Sequence, residues 1–234
     1  MTTGPQEPKS GTPQFYDRLV AETRVAREKF LQLPFIQAAF KGDISREAYI
    51  EYLCEAYHHV RHTVPLIAEV RRRIPEDRVP LHIVLEDYVL GRQGHEKWIL
   101  HDIKEAGGDA DAAKARAPSP ATNALVNYAY DTVRNVTPVA YFGMAFVVEA
   151  TGSKLAAYTV DTLMHKLGLP QKCFSYMLSH GNTEMEQMDS FEVLMAQITD
   201  PEEQEAIIDM ACGLYPLYSA IFQHVADTIE ENSG

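Results

Sequence analysis

The stretch EYLCEAYHHVRHTVP, residues 51–65, places one carboxylate and three histidines within a segment that has the apolar spacing of a helix interior. At about 100° per residue, Glu55, His58 and His62 fall within roughly 60° of one another and share one helix face. Glu55 and His62 are two turns apart, about 10 Å along the axis, so both could reach one ion. Imidazole with carboxylate suits zinc or iron, whereas calcium and magnesium take oxygen ligands. The alternative is a solvated helix face, on which such residues are common.

Helical signals continue on both sides of this stretch. Ser45 is a predicted N-cap, and Pro65 is expected to kink or break the helix just after His62. Other helices are predicted over residues 16–33, 35–41, 80–106, 120–135, 153–167, 172–180 with a possible continuation to 198, and 201–230. A loop is expected at 107–120, and no alternating apolar run indicates a strand. We therefore predict an all-α, single-domain bundle of seven to nine helices over residues 15–232, after a flexible polar tail at 1–14.

Composition and charge limit the functional classes. The chain has 234 residues, 46% of them hydrophobic, which is enough for one sizeable core. Its net charge of −12 argues against nucleic acid or an anionic membrane surface as the main partner. The three cysteines, Cys54, Cys173 and Cys212, show no CxxC spacing, which argues against a disulfide framework or a thiolate metal site. Because the sequence shows neither a leader peptide nor a membrane-length apolar run, we expect a cytoplasmic protein.

Two further segments carry candidate chemistry. Glu149 lies in VAYFGMAFVVEATG, an almost wholly apolar segment predicted to be a central buried helix, where an unpaired charge costs several kcal/mol. It is therefore paired, neutralised or bound to a cation, unless it reaches solvent at the end of the helix. In HGNTEMEQMDSF, residues 180–191, His180, Glu184 and Gln187 form one helical stripe. Helical bundles that bind metals in their cores use inward carboxylates and histidines from several helices.

These residues resemble the haem-oxygenase-like di-iron oxidases, which share their helical fold with haem oxygenase, TenA-type thiaminases and pyrroloquinoline-quinone synthase. The resemblance covers nearly the whole chain and includes PFIQAAFKGDISREAYIEYLCEAY, GHEKWILHDIKEAGG and the late HGxxE segment. Members carry a Glu and a His seven residues apart on an early helix, a central Glu, and a late H-x3-D-x2-H. The resemblance implies metal ligation by Glu55, His62, Glu149, His180 and Glu184.

The last ligand of the family pattern is missing. Gln187 stands in the place of the final His, and a neutral amide is a poor substitute for imidazole on iron. The resemblance then leaves several outcomes open: a single iron, recruitment of His95 or Glu186, or loss of metal chemistry. His95 resembles a Gly-His pair found across the superfamily, which implies a pocket or packing role.

The function implied by the resemblance is that of a non-haem iron oxidase or oxygenase. It would use one or two Fe(II) ions and O2 on a small amino-acid-like or fatty-acid-like substrate in the helical core. A metal-free catalyst similar to quinone synthase, rich in His and Tyr, and a non-catalytic ligand-binding protein are the alternatives. Haem oxygenases ligate haem through a first-helix His, and no His precedes His58 here. Thiaminases use a mid-chain cysteine, and none lies between Cys54 and Cys173.

Self-association is a further expectation, because relatives often form dimers. The last predicted helix carries an apolar stripe that would serve either a homodimer interface or the core, and its members are Ile221, Phe222, Val225 and Ile229. No nucleic acid or membrane partner is expected.

Overall fold

A computed structural model of the protein describes residues 15–181 and 191–233, and within these residues it is helical without strands. This confirms the predicted all-α fold. In chain order the helices are α1 (Phe15–Glu22), α2 (Arg24–Leu31), α3 (Pro34–Lys41), α4 (Arg46–Val60), α5 (Thr63–Arg73), α6 (Val79–Arg92), α7 (His95–Glu105), α8 (Ala110–Ala115), α9 (Pro120–Asn135), α10 (Tyr141–Val147), α11 (Lys154–Leu167), α12 (Ser175–Gly181) and α13 (Pro201–Ser233). The predicted tail, residues 1–14, lies outside the described residues.

Helix α4 begins where the sequence predicts and ends at Val60, slightly before the break that was expected just after His62. The Ser45 hydroxyl accepts a hydrogen bond from the Ala48 N–H at 3.1 Å and so satisfies one of the donors left open in the first turn. Arg61 and His62 form the turn that separates α4 from α5, and Pro65 follows in the first turn of α5. A proline there forgoes only a donor that the helix start leaves unpaired.

Two helices that were predicted as continuous are divided in the structure. The predicted helix over 80–106 is two helices in the structure, because α6 ends at Arg92 and α7 begins after Gly94. The φ of Gly94 is 88°, in the left-handed region that glycine tolerates. The predicted helix over 16–33 is interrupted at Thr23, whose hydroxyl donates to the Leu19 carbonyl oxygen at 2.6 Å. In both segments the apolar periodicity continues across the break, so periodicity alone did not reveal it.

The loop predicted at 107–120 contains helix α8. The Asp109 carboxylate accepts hydrogen bonds from the N–H groups of Asp111 and Ala112 at 3.0 and 2.9 Å and caps this short helix. The many Gly, Pro and Ala residues in this segment favoured a loop. Helix α8 and the turn that follows it bring Arg116 against α4.

The predicted central helix is confirmed as α10, whose residues are almost all buried. Gly143 allows it to approach α13 closely, because a Cβ at this position would overlap the backbone carbonyl of Ile207. Helix α10 continues into a π-helical turn over Val148–Ser153 before α11 begins. Such turns are rare and are frequent at functional sites.

The last long helix, α13, forms the main core with α9, α10 and α2. Ile221, Phe222 and Val225 of its apolar stripe are buried within the chain, and Ile229 is half-buried. The stripe thus contributes to the core. A second apolar cluster joins α4, α7, α11 and α12.

Helix α12 begins at Ser175, three residues later than expected, after a 3-10 turn over Gln171–Cys173. Its predicted continuation includes residues 182–190, which lie outside the described residues. Among the helices that are described, none combines the length and the apolar character needed to cross a membrane.

Candidate functional site

A cavity of about 140 Å³ lies between α4, α12, α13 and the α10–α11 segment. Apolar and aromatic side chains form most of its wall, including Phe30, Leu66, Leu155 and Phe222. The polar groups in the described wall are phenols, imidazoles, a guanidinium and two aliphatic hydroxyls, contributed by Tyr52, Tyr141, Tyr176, Tyr215, Tyr218, His59, His95, Arg92, Thr63 and Thr151. An apolar cavity of this size can hold a single benzene ring, so the space suits a small organic molecule.

The face of α4 that lines the cavity is not the one that the sequence singled out. Tyr52, Ala56 and His59 line the cavity at i, i+4 and i+7. Glu55 lies three residues from Tyr52, and at 100° per residue this turns it about 60° away from that position. Neither Glu55 nor His62 belongs to the cavity wall.

The carboxylate of Glu55 is buried and holds the start of α9. It accepts hydrogen bonds from the Ser119 hydroxyl at 2.7 Å, the Thr122 hydroxyl at 2.5 Å and the Ser119 N–H at 3.3 Å. Arg116 donates to the other carboxylate oxygen at 3.0 Å. Burial opposes ionisation, but the hydrogen bonds and the Arg116 charge outweigh it, and the pKa of Glu55 is lowered. Glu55 is therefore an ionised group whose hydrogen-bonding capacity is largely used.

Glu55 also belongs to a group with the donor types of an iron site. Ligand atoms of Glu51, Glu55 and His224 lie within 4.8 Å of one another. Arg116 occupies this group, since it donates to Glu51 at 2.8 Å as well as to Glu55. One oxygen of Glu51 is buried and has no hydrogen-bond partner within the described structure. A metal ion would have to displace the guanidinium, so the group as it stands fits an internal cation better than iron.

Two of the three histidines of residues 51–65, His58 and His62, also lie away from the cavity. His62 packs edge-on against Tyr130, with ring centroids 5.9 Å apart. His58 is 2% exposed, and its Nε2 has no hydrogen-bond partner in the part of the chain that is described. Burial lowers the pKa of His58 and of His62. Both rings are therefore neutral packing groups next to α8 and α9.

His59 is the α4 histidine that the sequence analysis did not select. Its ring lines the cavity and packs edge-on against Tyr218, with centroids 5.6 Å apart. Burial lowers its pKa to about 4, so the imidazole is neutral near pH 7 and can bind a metal without losing a proton. Tyr52 and His59 have the same seven-residue spacing as Glu55 and His62. This spacing could have pointed to His59 as a candidate ligand. It was passed over because the motif requires a glutamate in the first position, where this pair has Tyr52.

The tyrosines of the cavity are protonated hydroxyl donors. Burial raises the pKa of Tyr52 and of Tyr141 to about 12 and raises that of Tyr218 further. Thr151 and Tyr215 share a hydrogen bond of 2.9 Å in the wall. Because each phenol has an apolar ring and a polar tip, this wall can hold an apolar body and orient oxygen or nitrogen atoms on it.

The other predicted ligands are only partly described. Glu149 lies in the π-helical turn, and Val148 and Thr151 of the same turn line the cavity. His180 lies on α12, one turn after Tyr176 and Met177 of the cavity wall. The side chains of Glu149 and His180 lie outside the described part of the structure, as does Glu184. Gln187 and Glu186 belong to the same undescribed segment.

Helix α12 is held by a buried carboxylate. Asp102 of α7 is 0% exposed and accepts a hydrogen bond from the Tyr176 N–H at 2.8 Å. His95 of the same helix lines the cavity and stacks on Trp98, with centroids 4.8 Å apart. Helix α7 therefore positions one side of the cavity wall, which agrees with the pocket or packing role expected for His95.

Comparison with known families and structures agrees with this architecture. A family model described as "Iron-containing redox enzyme" matches residues 50–217. Among curated protein sequences, no significant match was found.

Solved structures of similar fold cover nearly the whole chain. A Shewanella denitrificans domain of unknown function with a heme oxygenase-like fold has a TM-score of 0.83 and 18% identity, over 94% of this chain and 95% of that one. A TenA homologue from Pseudomonas syringae has a TM-score of 0.80 and 12% identity, over 96% and 98%. Heme oxygenase-1 from Synechocystis, solved with heme, has a TM-score of 0.70 and 14% identity, over 94% and 96%. At these identities the likeness shows the fold alone, which is the haem-oxygenase-like fold expected from the sequence.

Proposed function

Because the chain belongs to the family of iron-containing redox enzymes, we propose that it is a non-haem iron oxidase or oxygenase. Its substrate would be a small organic molecule bound in the cavity, and O2 would be the co-substrate. The observation that carries the proposal is the position of His59, a neutral imidazole in the wall of a cavity whose other side chains are mainly apolar or phenolic. Neutral imidazole is a ligand that suits iron.

We propose His59 as the iron ligand that α4 contributes. Glu149 and His180 would complete the site, with Glu184 as a further ligand for the same iron or a second one. Iron in this position would supply the activation of O2. Glu55 and His62 are the alternative pair from α4, and against them stands the engagement of Glu55 by Arg116, Ser119 and Thr122.

The remaining cavity residues bind and orient the substrate. Apolar side chains such as Leu155 and Phe222 keep water away from the reacting groups and favour an apolar substrate body. The hydroxyls of Tyr52, Tyr141 and Tyr218 donate hydrogen bonds to its polar atoms. The volume of about 140 Å³ favours a substrate of about one ring or a short chain.

Iron content after anaerobic reconstitution with ferrous iron tests the proposal. We expect iron in the wild-type protein and at least a tenfold weaker affinity in His59→Ala, with wild-type affinity in the matched control His62→Ala. Both residues are histidines near the same end of α4, but only His59 lines the cavity. Loss of iron in His62→Ala and Glu55→Gln with retention in His59→Ala would instead support the Glu55 and His62 pair.

A metal-free catalyst is the second candidate, favoured by the same wall of phenols and imidazoles. His59 would then act as a general base, for which a neutral ring is required. Wild-type protein that binds no iron under these conditions would reject the oxidase proposal and favour this one. A protein that binds a small molecule in the cavity and turns over none would be a binding protein.

A further inference from the structure

Gly152 occupies an unusual position, because it belongs to the cavity wall and is also exposed to solvent. It lies in the π-helical turn that joins α10 to α11. The cavity therefore meets the protein surface at this residue.

The backbone conformation at position 152 does not require a glycine. Its φ is not among the positive values, which within the described residues occur at other glycines. A Cβ built on Gly152 meets no atom of the described residues within 4 Å, whereas one built on Gly143 would overlap a backbone carbonyl. A side chain at 152 would thus meet no obstacle among the described residues, and it would stand where the cavity wall reaches the surface.

We propose that Gly152 forms the opening through which small molecules reach His59, and that its missing side chain sets the size of what can enter. The proposal rests on the cavity being the substrate site, as proposed above, and does not depend on iron. A bulky side chain at 152 would stand in the opening, while the cavity wall would keep its other side chains.

Modification of His59 by diethyl pyrocarbonate tests this without a known substrate. The reagent acylates neutral imidazoles, and fragmentation of the modified peptides by mass spectrometry separates His59 from its neighbour His58. We compare the wild-type protein with Gly152→Ala, Gly152→Phe and the control Gly91→Phe. Gly91 is also an exposed helical glycine, and its Cβ would meet none of the described atoms within 4 Å, but it does not line the cavity.

We expect the rate of His59 modification to fall at least tenfold in Gly152→Phe and to fall less in Gly152→Ala. Gly91→Phe should leave the rate unchanged. The exposed His101 should react equally in all variants and serves as an internal standard, and circular dichroism should confirm their helix content.

Two results would overturn the proposal. One is a wild-type His59 that reacts as slowly as the buried His58, since no opening would then lead to it. The other is an unchanged His59 rate in Gly152→Phe. Iron content is measured separately on the same proteins, so a chain that binds no iron but shows the protection would reject the oxidase proposal and keep this one.

Discussion

The imidazole of His59 and the phenol of Tyr218 meet edge-on inside the cavity, with ring centroids 5.6 Å apart and planes at 84°. The two residues come from α4 and α13, so their contact joins these two helices in the wall of the proposed substrate site. Burial acts on both groups in the same sense, because it lowers the pKa of the imidazole, raises that of the phenol and keeps each neutral. The part of the cavity wall that His59 and Tyr218 form is therefore uncharged near pH 7.

The depressed pKa of His59 predicts how stability depends on pH. In the unfolded chain the ring is protonated below about pH 6.5, whereas in the folded protein its pKa is about 4. Between these values the unfolded state binds the extra proton, so the folded state loses stability as the pH falls. His59→Gln should remove this loss. Its free energy of unfolding, relative to that of the wild type, should therefore rise by about 2–3 kcal/mol as the pH falls from 7.5 to 4.5.

Urea unfolding across this range measures the effect. His101→Gln, which replaces an exposed ring, is the control. Parallel stability curves for the wild type and His59→Gln would show that the ring is protonated in the folded protein.

Glu55 should matter more for stability than for iron. Glu55→Gln keeps the shape of the side chain but removes the charge that Arg116, Ser119 and Thr122 contact, at an expected cost of about 2–3 kcal/mol. Because the folded pKa is lowered, this stabilisation is full above about pH 4.5 and declines as the pH falls through the folded value. The wild type and Glu55→Gln should therefore converge in acid.

An exposed ion pair provides the control for Glu55. Glu22 pairs with Arg18 on the surface of α1, and Glu22→Gln should cost at most about 1 kcal/mol. Chemical unfolding at pH 7 and at pH 4 measures both variants. Equal effects of the two substitutions at pH 7 would show that the Glu55 contacts add nothing beyond a surface pair.

Arg116 should be replaceable by a metal ion. With Arg116→Ala, the carboxylates of Glu51 and Glu55 lose their cation and remain close to the imidazole of His224. Such a set of donors suits a divalent transition metal. We expect the variant to be destabilised and then rescued by Zn²⁺, by about 3 kcal/mol at a concentration 100 times the dissociation constant.

The control for the stabilisation by Zn²⁺ is Arg71→Ala. This substitution breaks a surface pair with Glu86 and leaves the contacts of Arg116 intact. Thermal unfolding with and without Zn²⁺ measures both variants and the wild type. A Zn²⁺ effect of the same size in all three proteins would show that the group around Arg116 is not the site.

The sequence predicted the elements that local chemistry determines. Ser45 marks the start of α4 as an N-cap and Pro65 marks the break that follows this helix, and these signals need no knowledge of the neighbouring helices. The breaks at Thr23 and Gly94 were missed because apolar spacing continues across them, and α8 was missed because its composition is typical of a loop.

The inward face of α4 could not be predicted in the same way. Different faces of this helix carry pairs with seven-residue spacing, among them Glu55 with His62 and Tyr52 with His59. Which pair faces a cavity depends on what covers the other, and Glu55 is covered by Arg116 and the start of α9. Because that cover comes from a segment expected to be a loop, the sequence favoured the pair with the more familiar metal ligands.

The close approach of α10 and α13 supplies the last prediction. A Cβ at Gly143 would overlap the carbonyl oxygen of Ile207, and backbone atoms cannot move aside as a flexible side chain can. Gly143→Ala should therefore force the two helices apart and destabilise the protein by about 2–3 kcal/mol, the upper part of the usual cost of an overpacked core. Gly91→Ala, in the open space along α6, should instead stabilise it by up to about 1 kcal/mol through helix propensity. Opposite signs for one added methyl group, measured by urea unfolding, would confirm that contact with α13 selects glycine at 143, and equal effects would contradict it.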